Sequence, residues 1–234
     1  SGIYILNEFV DIEKNLLYDP LNPITLSSSN FDLNNNNKLI DFFDESSIYI
    51  GTPNGFNVFD KSQENIRRYF KQRSSALLSN KINSVLRVSE KELLVATDNG
   101  INFFNTSSKK FNKKVVGLGK NISHIFNIRG DEYCFITEDK LYTFDLSDYK
   151  TAPETSAKLD LNYENQNLSV LKKDSLLYVY AKGFNRLIFV DLKEFTKSNY
   201  EFKSNIQTVS LSNGQTYVGT NQGVYEMSNS LNFI

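Results

Sequence analysis

The chain has 234 residues, enough for one larger all-β domain or one and a half average domains, and enough to bury a core without disulfide staples. Its 26 Lys and Arg stand against 27 Asp and Glu, a net charge of −1, so it lacks the basic excess that nucleic acids and anionic membranes select. A single cysteine, Cys134, and a single histidine, His124, exclude a disulfide framework, a CxxC pair and a two-histidine metal site within the segment.

No metal and no cofactor are therefore expected. No apolar run approaches the roughly 18 residues of a membrane span, and no basic-then-apolar leader opens the chain, so membrane insertion within this segment is not expected either. The opening Ser1-Gly2-Ile3-Tyr4 without a methionine and the apolar end Asn232-Phe233-Ile234 read as a piece of a longer protein. The 18 Phe and 13 Tyr with no Trp favour pleated, half-buried surfaces, and 29 Asn, many beside Gly or Ser, favour turns. Helical periodicity is weak throughout. Its nearest approach, residues 64–78, is broken by Arg67-Arg68, by Lys71 and Arg73, and by a Ser-Ser.

In chain order, Gly2–Leu6 reads as a strand matching Gly223–Met227, and residues 1–20 read as outer strands of a preceding or closing unit. The line Ile48-Tyr49-Ile50-Gly51-Thr52-Pro53-Asn54-Gly55-Phe56-Asn57-Val58-Phe59-Asp60 then returns as Leu93-Leu94-Val95-Ala96-Thr97-Asp98-Asn99-Gly100-Ile101-Asn102-Phe103-Phe104-Asn105. A shortened copy is Thr216-Tyr217-Val218-Gly219-Thr220-Asn221-Gln222-Gly223-Val224-Tyr225-Glu226, and weaker copies surround Ile136 and Tyr180. Positions 51, 96, 136, 180 and 219 are equivalent, with spacings of 45, 40, 44 and 39. A period of about 44 is that of a β-propeller blade.

The expected fold is an all-β propeller segment over residues 1–234, with five four-stranded blades and a partial one. The blades fall at Lys38–Phe70, Ile82–Val115, Ile122–Leu161, Leu168–Lys203 and Ile206–Ile234. Each begins with an apolar strand a (Lys38–Phe43, Ile82–Val88, Ile122–Ile128, Leu168–Leu171, Ile206–Leu211), followed by a strand b apolar on both faces and hence covered on both. Asn54-Gly55 and Asn99-Gly100 predict type I′ hairpins with positive φ. Strand c alternates, Phe56 and Val58 against Asn57 and Phe59, which predicts a more exposed position. A polar strand d, as in Arg67–Lys71 or Tyr200–Lys203, guards the outer edge.

Chemistry is sparse. His124 reads as a core or pore residue, Cys134 as inert packing, and Gly117-Leu118-Gly119-Lys120-Asn121 as a loop lacking the spacing of a phosphate cradle. Asn34–Asn37 reads as a solvated loop. Asp41, Asp44, Glu45, Asp131 and Glu132 are the carboxylates a glycosidase would need in pairs about 5 to 10 Å apart, but they are expected on separate turns, so no enzyme is expected. The fourth unit replaces the tight turn by Lys182-Gly183-Phe184-Asn185-Arg186, two cations, an amide and an aromatic suited to acidic sugars or acidic peptides. Asn54, Asp98, Asn99, Glu138 and Asn221 on neighbouring turns complete the candidate ligand-binding set, and a longer hairpin with Phe184 packed inward is the alternative.

Leu78-Ser79-Asn80-Lys81-Ile82 leading to Leu94-Val95-Ala96-Thr97-Asp98-Asn99-Gly100-Ile101, with Leu26-Ser27-Ser28-Ser29-Asn30 as a second lead-in, resembles the two-component regulator propeller repeat. That repeat carries Trp where this chain has Tyr49, Leu94, Cys134, Tyr178 and Tyr217. The resemblance implies the extracytoplasmic sensor part of a bacterial hybrid histidine kinase, periplasmic or at the cell surface. It further implies a glycan fragment or protein partner, with room for a dimer of the full-length protein. A scaffold propeller of a secretion, surface or eukaryotic-type assembly is the alternative, and a glycan-active enzyme the third.

Overall fold

Repeated local rules build every element. The computed structural model describes residues 2–6, 9–28, 40–42, 46–72, 76–159, 168–213 and 215–227. All 21 strands named here are antiparallel, and no helix occurs among the described residues. A hairpin of β1 (Gly2–Leu6) and β2 (Ile12–Leu17) comes first. The first four-stranded sheet is β3 (Ile40–Phe42), β4 (Ser47–Thr52), β5 (Gly55–Asp60) and β6 (Asn65–Tyr69), in that order. The second is β7 (Ile82–Ser89), β8 (Glu92–Thr97), β9 (Gly100–Asn105) and β10 (Lys110–Val116). The third is β11 (His124–Arg129), β12 (Glu132–Ile136), β13 (Lys140–Asp145) and β14 (Glu154–Lys158). The fourth is β15 (Leu168–Lys173), β16 (Leu176–Ala181), β17 (Arg186–Asp191) and β18 (Lys197–Glu201). The last has three strands among the described residues, β19 (Ile206–Ser212), β20 (Gln215–Thr220) and β21 (Gly223–Met227), and the remainder of the expected blade, residues 228–234, lies outside the described residues. The chain divides into two units, and the division falls within the third sheet.

The turn joining the second and third strands of a sheet is fixed by a threonine. Thr52 Oγ1 donates to the Gly55 carbonyl at 2.9 Å and accepts from Asn54 N at 3.2 Å. Thr97 does the same with Gly100 and Asn99, and Thr220 with Gly223 and Gln222. The hairpin is therefore not the expected type I′. That turn needs positive φ at both central residues, which here are Pro53 and Asn54, and proline locks φ near −65°. Neither Asn54 nor Asn99 has positive φ. Only the following glycine does, at 139° for Gly55 and 121° for Gly100, and its missing side chain is needed for a second reason. A Cβ on Gly55 would lie 2.9 Å from the Tyr69 carbonyl, and one on Gly100 would lie 2.9 Å from Leu78 Cδ1.

The third strands of the first and second sheets are also more deeply buried than the alternation predicts. Every residue of β5 and of β9 except the last is buried, including Asn57 and Asn102, both 0% exposed. Two buried amides are tolerated because each ties down the segment that enters its own sheet. Asn57 Oδ1 accepts from Ser27 N at 2.9 Å while its Nδ2 donates to the Ile50 carbonyl. Asn102 Oδ1 accepts from Leu78 N at 3.0 Å while its Nδ2 donates to the Ala76 carbonyl at 2.6 Å. At the far end of the third strand, Asp60, Asn105, Asp145 and Asp191 each accept a backbone N–H two or three residues on, which turns the chain toward the fourth strand.

Sheets pack face to face through aliphatic and aromatic side chains. In the first unit, Ile3, Ile5 and Leu16 of the hairpin meet Ile48, Ile50, Phe59 and Ile66. There too Tyr49, Phe56, Val58 and Tyr69 of the first sheet meet Val85, Leu93, Val95, Phe104 and Phe111 of the second. Phe56 sits 5.0 Å from Phe104 and 5.5 Å from Phe111, both edge-on, the geometry favoured by ring quadrupoles. In the second unit, Tyr178, Tyr180, Leu187 and Phe189 meet Val209, Val218, Tyr225 and Met227. The outer strands lie slightly off the expected bounds, β6 at Asn65–Tyr69 and β18 at Lys197–Glu201. The former shows that residues 65–69 are strand rather than helix.

Candidate functional site

The predicted ligand-binding residues lie on hairpin turns, some in each unit. In the first unit, Asn54 is exposed and its Nδ2 donates to the Ser27 carbonyl at 3.2 Å. Asp98 is exposed at the matching turn, and the Asn99 carbonyl accepts from Gly119 N, which draws the loop 117–121 beside that turn. Leu118 of that loop is exposed, and Lys120 N closes a turn on the Gly117 carbonyl.

In the second unit the insert Lys182–Arg186 is anchored rather than loose. Gly183 N donates to the Ile206 carbonyl at 2.8 Å, and Ile206 N donates back to the Phe184 carbonyl at 2.6 Å. Asn185 exchanges backbone and side-chain bonds with Phe202, its Nδ2 reaching the Phe202 carbonyl at 3.1 Å. Arg186 faces Glu201 across the β17–β18 ladder, and their side chains pair at 3.1 Å. Phe184 is half-buried and Lys182 exposed. Asn221, on the next turn, donates its backbone N–H to the Asn205 carbonyl, so both turns are joined to the segment 202–206. Glu138 is exposed on the β12–β13 turn.

The remaining candidates take structural places. His124 is buried at the start of β11, its ring parallel to Phe126 with centroids 6.0 Å apart. Cys134 is fully buried on β12. Glu132 pairs with Arg129 at 2.9 Å, and Asp131 is an exposed turn residue. Asp44, Glu45 and Asn34–Asn37 lie outside the described residues, as does the side chain of Asp41. Among the described residues no three His, Cys, Asp or Glu converge on a point that could hold a metal ion. The groups with shifted titration are likewise structural. Burial pushes the Tyr69 phenol up to about 12, where its hydroxyl donates to the Lys109 carbonyl at 2.8 Å. Hydrogen bonds from Ser62, Lys109 and Gln63 hold the Asp60 carboxyl well below the usual carboxylate range.

Neither family models nor curated protein sequences give a match. Solved structures do. The extracellular domain of BT3049 from B. thetaiotaomicron, named as a hybrid two-component system, aligns with a TM-score of 0.61 at 19% identity over 86% of this chain and 30% of that one. The corresponding domain of BT4673 gives 0.58 at 18% identity over 86% and 27%. The β-propeller domain of Cps50 (Swd1) from Myceliophteria thermophila gives 0.57 at 12% identity over 86% and 67%.

The fold is that of a β-propeller. The propeller neighbours include extracellular domains of the group that the repeat resembles, and this chain spans less than a third of the length of those two. Sequence reasoning missed the two buried asparagines of the propeller sheets. Their signal was available, an amide two residues after the repeated glycine in two otherwise apolar strands.

Proposed function

We propose that the chain is a ligand-sensing or protein-interaction propeller, the extracytoplasmic sensor part of a two-component regulator, periplasmic or at the cell surface, with no catalysis of its own. The observation that carries this reading is the contrast between a repeated turn and a varied one. Thr52, Thr97 and Thr220 hold the same hydrogen-bonded turn, whereas the fourth sheet substitutes a five-residue insert bearing Lys182, Phe184 and Arg186. The likeness to the two B. thetaiotaomicron extracellular domains supports the sensor assignment. The insert would hold an acidic sugar or an acidic peptide segment, with Lys182 as the exposed cation and Arg186 oriented by Glu201.

Calorimetry of the wild-type chain and the Lys182→Ala/Arg186→Ala variant against a panel of acidic glycans and acidic peptides tests it. Binding weakened at least about tenfold by the double substitution supports the site. Equal binding by both proteins removes this face, and no binding by the wild type removes the ligand class. The likeness to the Cps50 (Swd1) propeller domain supports a scaffold role as the second reading. A change in transcription of neighbouring genes when carbohydrate is added to the medium would favour the sensor over the scaffold.

A further inference from the structure

Charge is spread unevenly along this chain. Residues 61–71 and 106–116 hold eight Lys and Arg against one Glu, a net +7 within a chain whose total is −1. The two stretches contain β6 and β10, the outer strands of the first and second sheets, and both lie in the first unit. Protection of a sheet edge does not account for the excess. The outer strands β14 and β18 are edges too, yet each carries one anion and one cation, Glu154 with Lys158 and Lys197 with Glu201.

Three of the eight cations are committed to the fold. Arg68 binds carbonyls of the segment 19–25, Lys109 pairs with Asp60 at 2.9 Å, and Lys114 lies over the rings of Phe103 and Tyr149 at 5.6 and 5.1 Å. The other five, Lys61, Arg67, Lys71, Lys110 and Lys113, are exposed and make no ion pair among the described residues. The two strands adjoin at Tyr69. The Arg67 guanidinium stands 5.2 Å from the centre of the Tyr69 ring, and the Tyr69 hydroxyl donates to the Lys109 carbonyl at 2.8 Å, next to Lys110. In β10 the ladder is interrupted between Phe111 and Val115, so that residues 112–114 stand opposite the single Phe103. Such a bulge re-aims side chains at an edge and stops further strand pairing there.

We infer that this basic rim is a docking surface for a polysaccharide bearing sulfate or phosphate groups. Cations gathered on neighbouring strands without counter-ions of their own repel one another and attract a chain of anions, which gains further by releasing its own counter-ions. Four of the five are lysines, point charges that hold a sulfate or phosphate without the paired geometry in which arginine grips a carboxylate. An acidic peptide adding a strand to the β10 edge is blocked by the bulge. A single-stranded nucleic acid needs exposed rings for its bases, and Tyr69, Phe70 and Phe111 are all half-buried, two of them within the cluster between the sheets. A membrane surface takes apolar anchors, and no large apolar side chain of either stretch is exposed. The rim belongs to the first unit and the insert at residues 182–186 to the second, so the inference does not rest on the ligand proposed above.

Calorimetric titration of the 234-residue chain with dextran sulfate at about 50 mM and about 200 mM salt tests it, with circular dichroism to confirm that the variants fold. Binding of dextran sulfate but not of uncharged dextran, weakening as salt rises, is expected. Lys110→Gln/Lys113→Gln should weaken binding at least about tenfold and lower the salt slope by about 1 to 2. Lys172→Gln/Lys193→Gln, which removes two exposed lysines of the second unit, should leave both unchanged, and so should Lys182→Ala/Arg186→Ala. No binding by the wild-type chain at the lower salt, or equal weakening in the Lys172/Lys193 variant, overturns the inference. Tighter binding of single-stranded DNA, polyglutamate or phosphatidylglycerol vesicles overturns it as well, by giving the rim to another partner. Loss of dextran sulfate binding in the Lys182/Arg186 variant alone would move the polymer to the insert and overturn the rim.

Discussion

Asn57 and Ser27 lie 30 residues apart and are joined by a buried hydrogen bond, Ser27 N donating to Asn57 Oδ1 at 2.9 Å. The same side chain donates to the Ile50 carbonyl, so one amide binds the entering segment to the second and third strands of the sheet. Because Asn57 is fully buried, removing it leaves a donor and an acceptor without partners. Asn57→Ala should cost about 2 to 4 kcal/mol in urea unfolding. Asn57→Asp should be worse near neutral pH, since a carboxylate facing the Ile50 carbonyl would be buried and repelled. An Asp variant as stable as wild type would show that the amide's donor role is dispensable.

The glycine turn separates backbone strain from collision. Gly100 and Gly223 both have φ between 120° and 150°, at 121° and 147°. A Cβ at Gly100 would meet Leu78 Cδ1 at 2.9 Å and the Val116 carbonyl at 3.1 Å, whereas at Gly223 it would meet nothing within 4 Å. Gly223→Ala should therefore cost about 1 to 3 kcal/mol from strain alone, and Gly100→Ala measurably more. Gly100→Val should be the most damaging of the three. Thermal melts in which the two alanine variants shift equally would refute the collision.

Arg68 anchors the segment before the first sheet. Its guanidinium donates to the carbonyls of Asp19, Asn22 and Thr25 and to Thr25 Oγ1. A planar fork with fixed donors suits three converging carbonyls, and a lysine ammonium does not. In Arg68→Lys, amide exchange should quicken at Leu26, whose N–H is bonded to the Leu17 carbonyl at 2.8 Å. Unchanged exchange there would mean that Leu26, fully buried, is held by packing alone.

The strand pattern was legible because turn chemistry repeats: the glycines at 55, 100 and 223 start strands, and the first four blade spans match their sheets to within a few residues. In β5 and β9 the expected exposure fails because alternation predicts one wet face, whereas sheets stacked on both sides cover both, and the polar residue in the pattern is a clamp. Pro53 carried the evidence against a type I′ turn. It was outweighed by the Asn-Gly pair. The insert at residues 182–186 was legible as a departure from the repeat. Its anchoring to residues 202–206 was not, since those bonds are made by backbone groups and by one amide, which no residue type announces.

The Asp60–Lys109 pair links the end of β5 to the turn before β10, and it makes stability depend on pH. Lys109 Nζ donates to Asp60 Oδ2 at 2.9 Å, while Ser62 Oγ and N and Gln63 N donate to Oδ1 at 2.6, 3.0 and 3.2 Å. The Ser62 bond contributes most to holding the carboxyl low, then that of Lys109. The folded protein keeps Asp60 charged at a pH where the unfolded chain takes up a proton, so the unfolded state binds more protons as the solution is acidified. The contribution is complete above the ordinary aspartate value of about 4 and is lost progressively as pH falls below it. Asp60→Asn keeps the shape and removes the titration. The stability gap between wild type and variant, from urea midpoints, should be widest near about pH 6 and should narrow toward about pH 3. Taking the gap rather than the absolute value cancels the other carboxylates, including Asp145, which Ser147 also holds low. A gap that stays constant across that range would show that Asp60 titrates alike in the folded and unfolded chain.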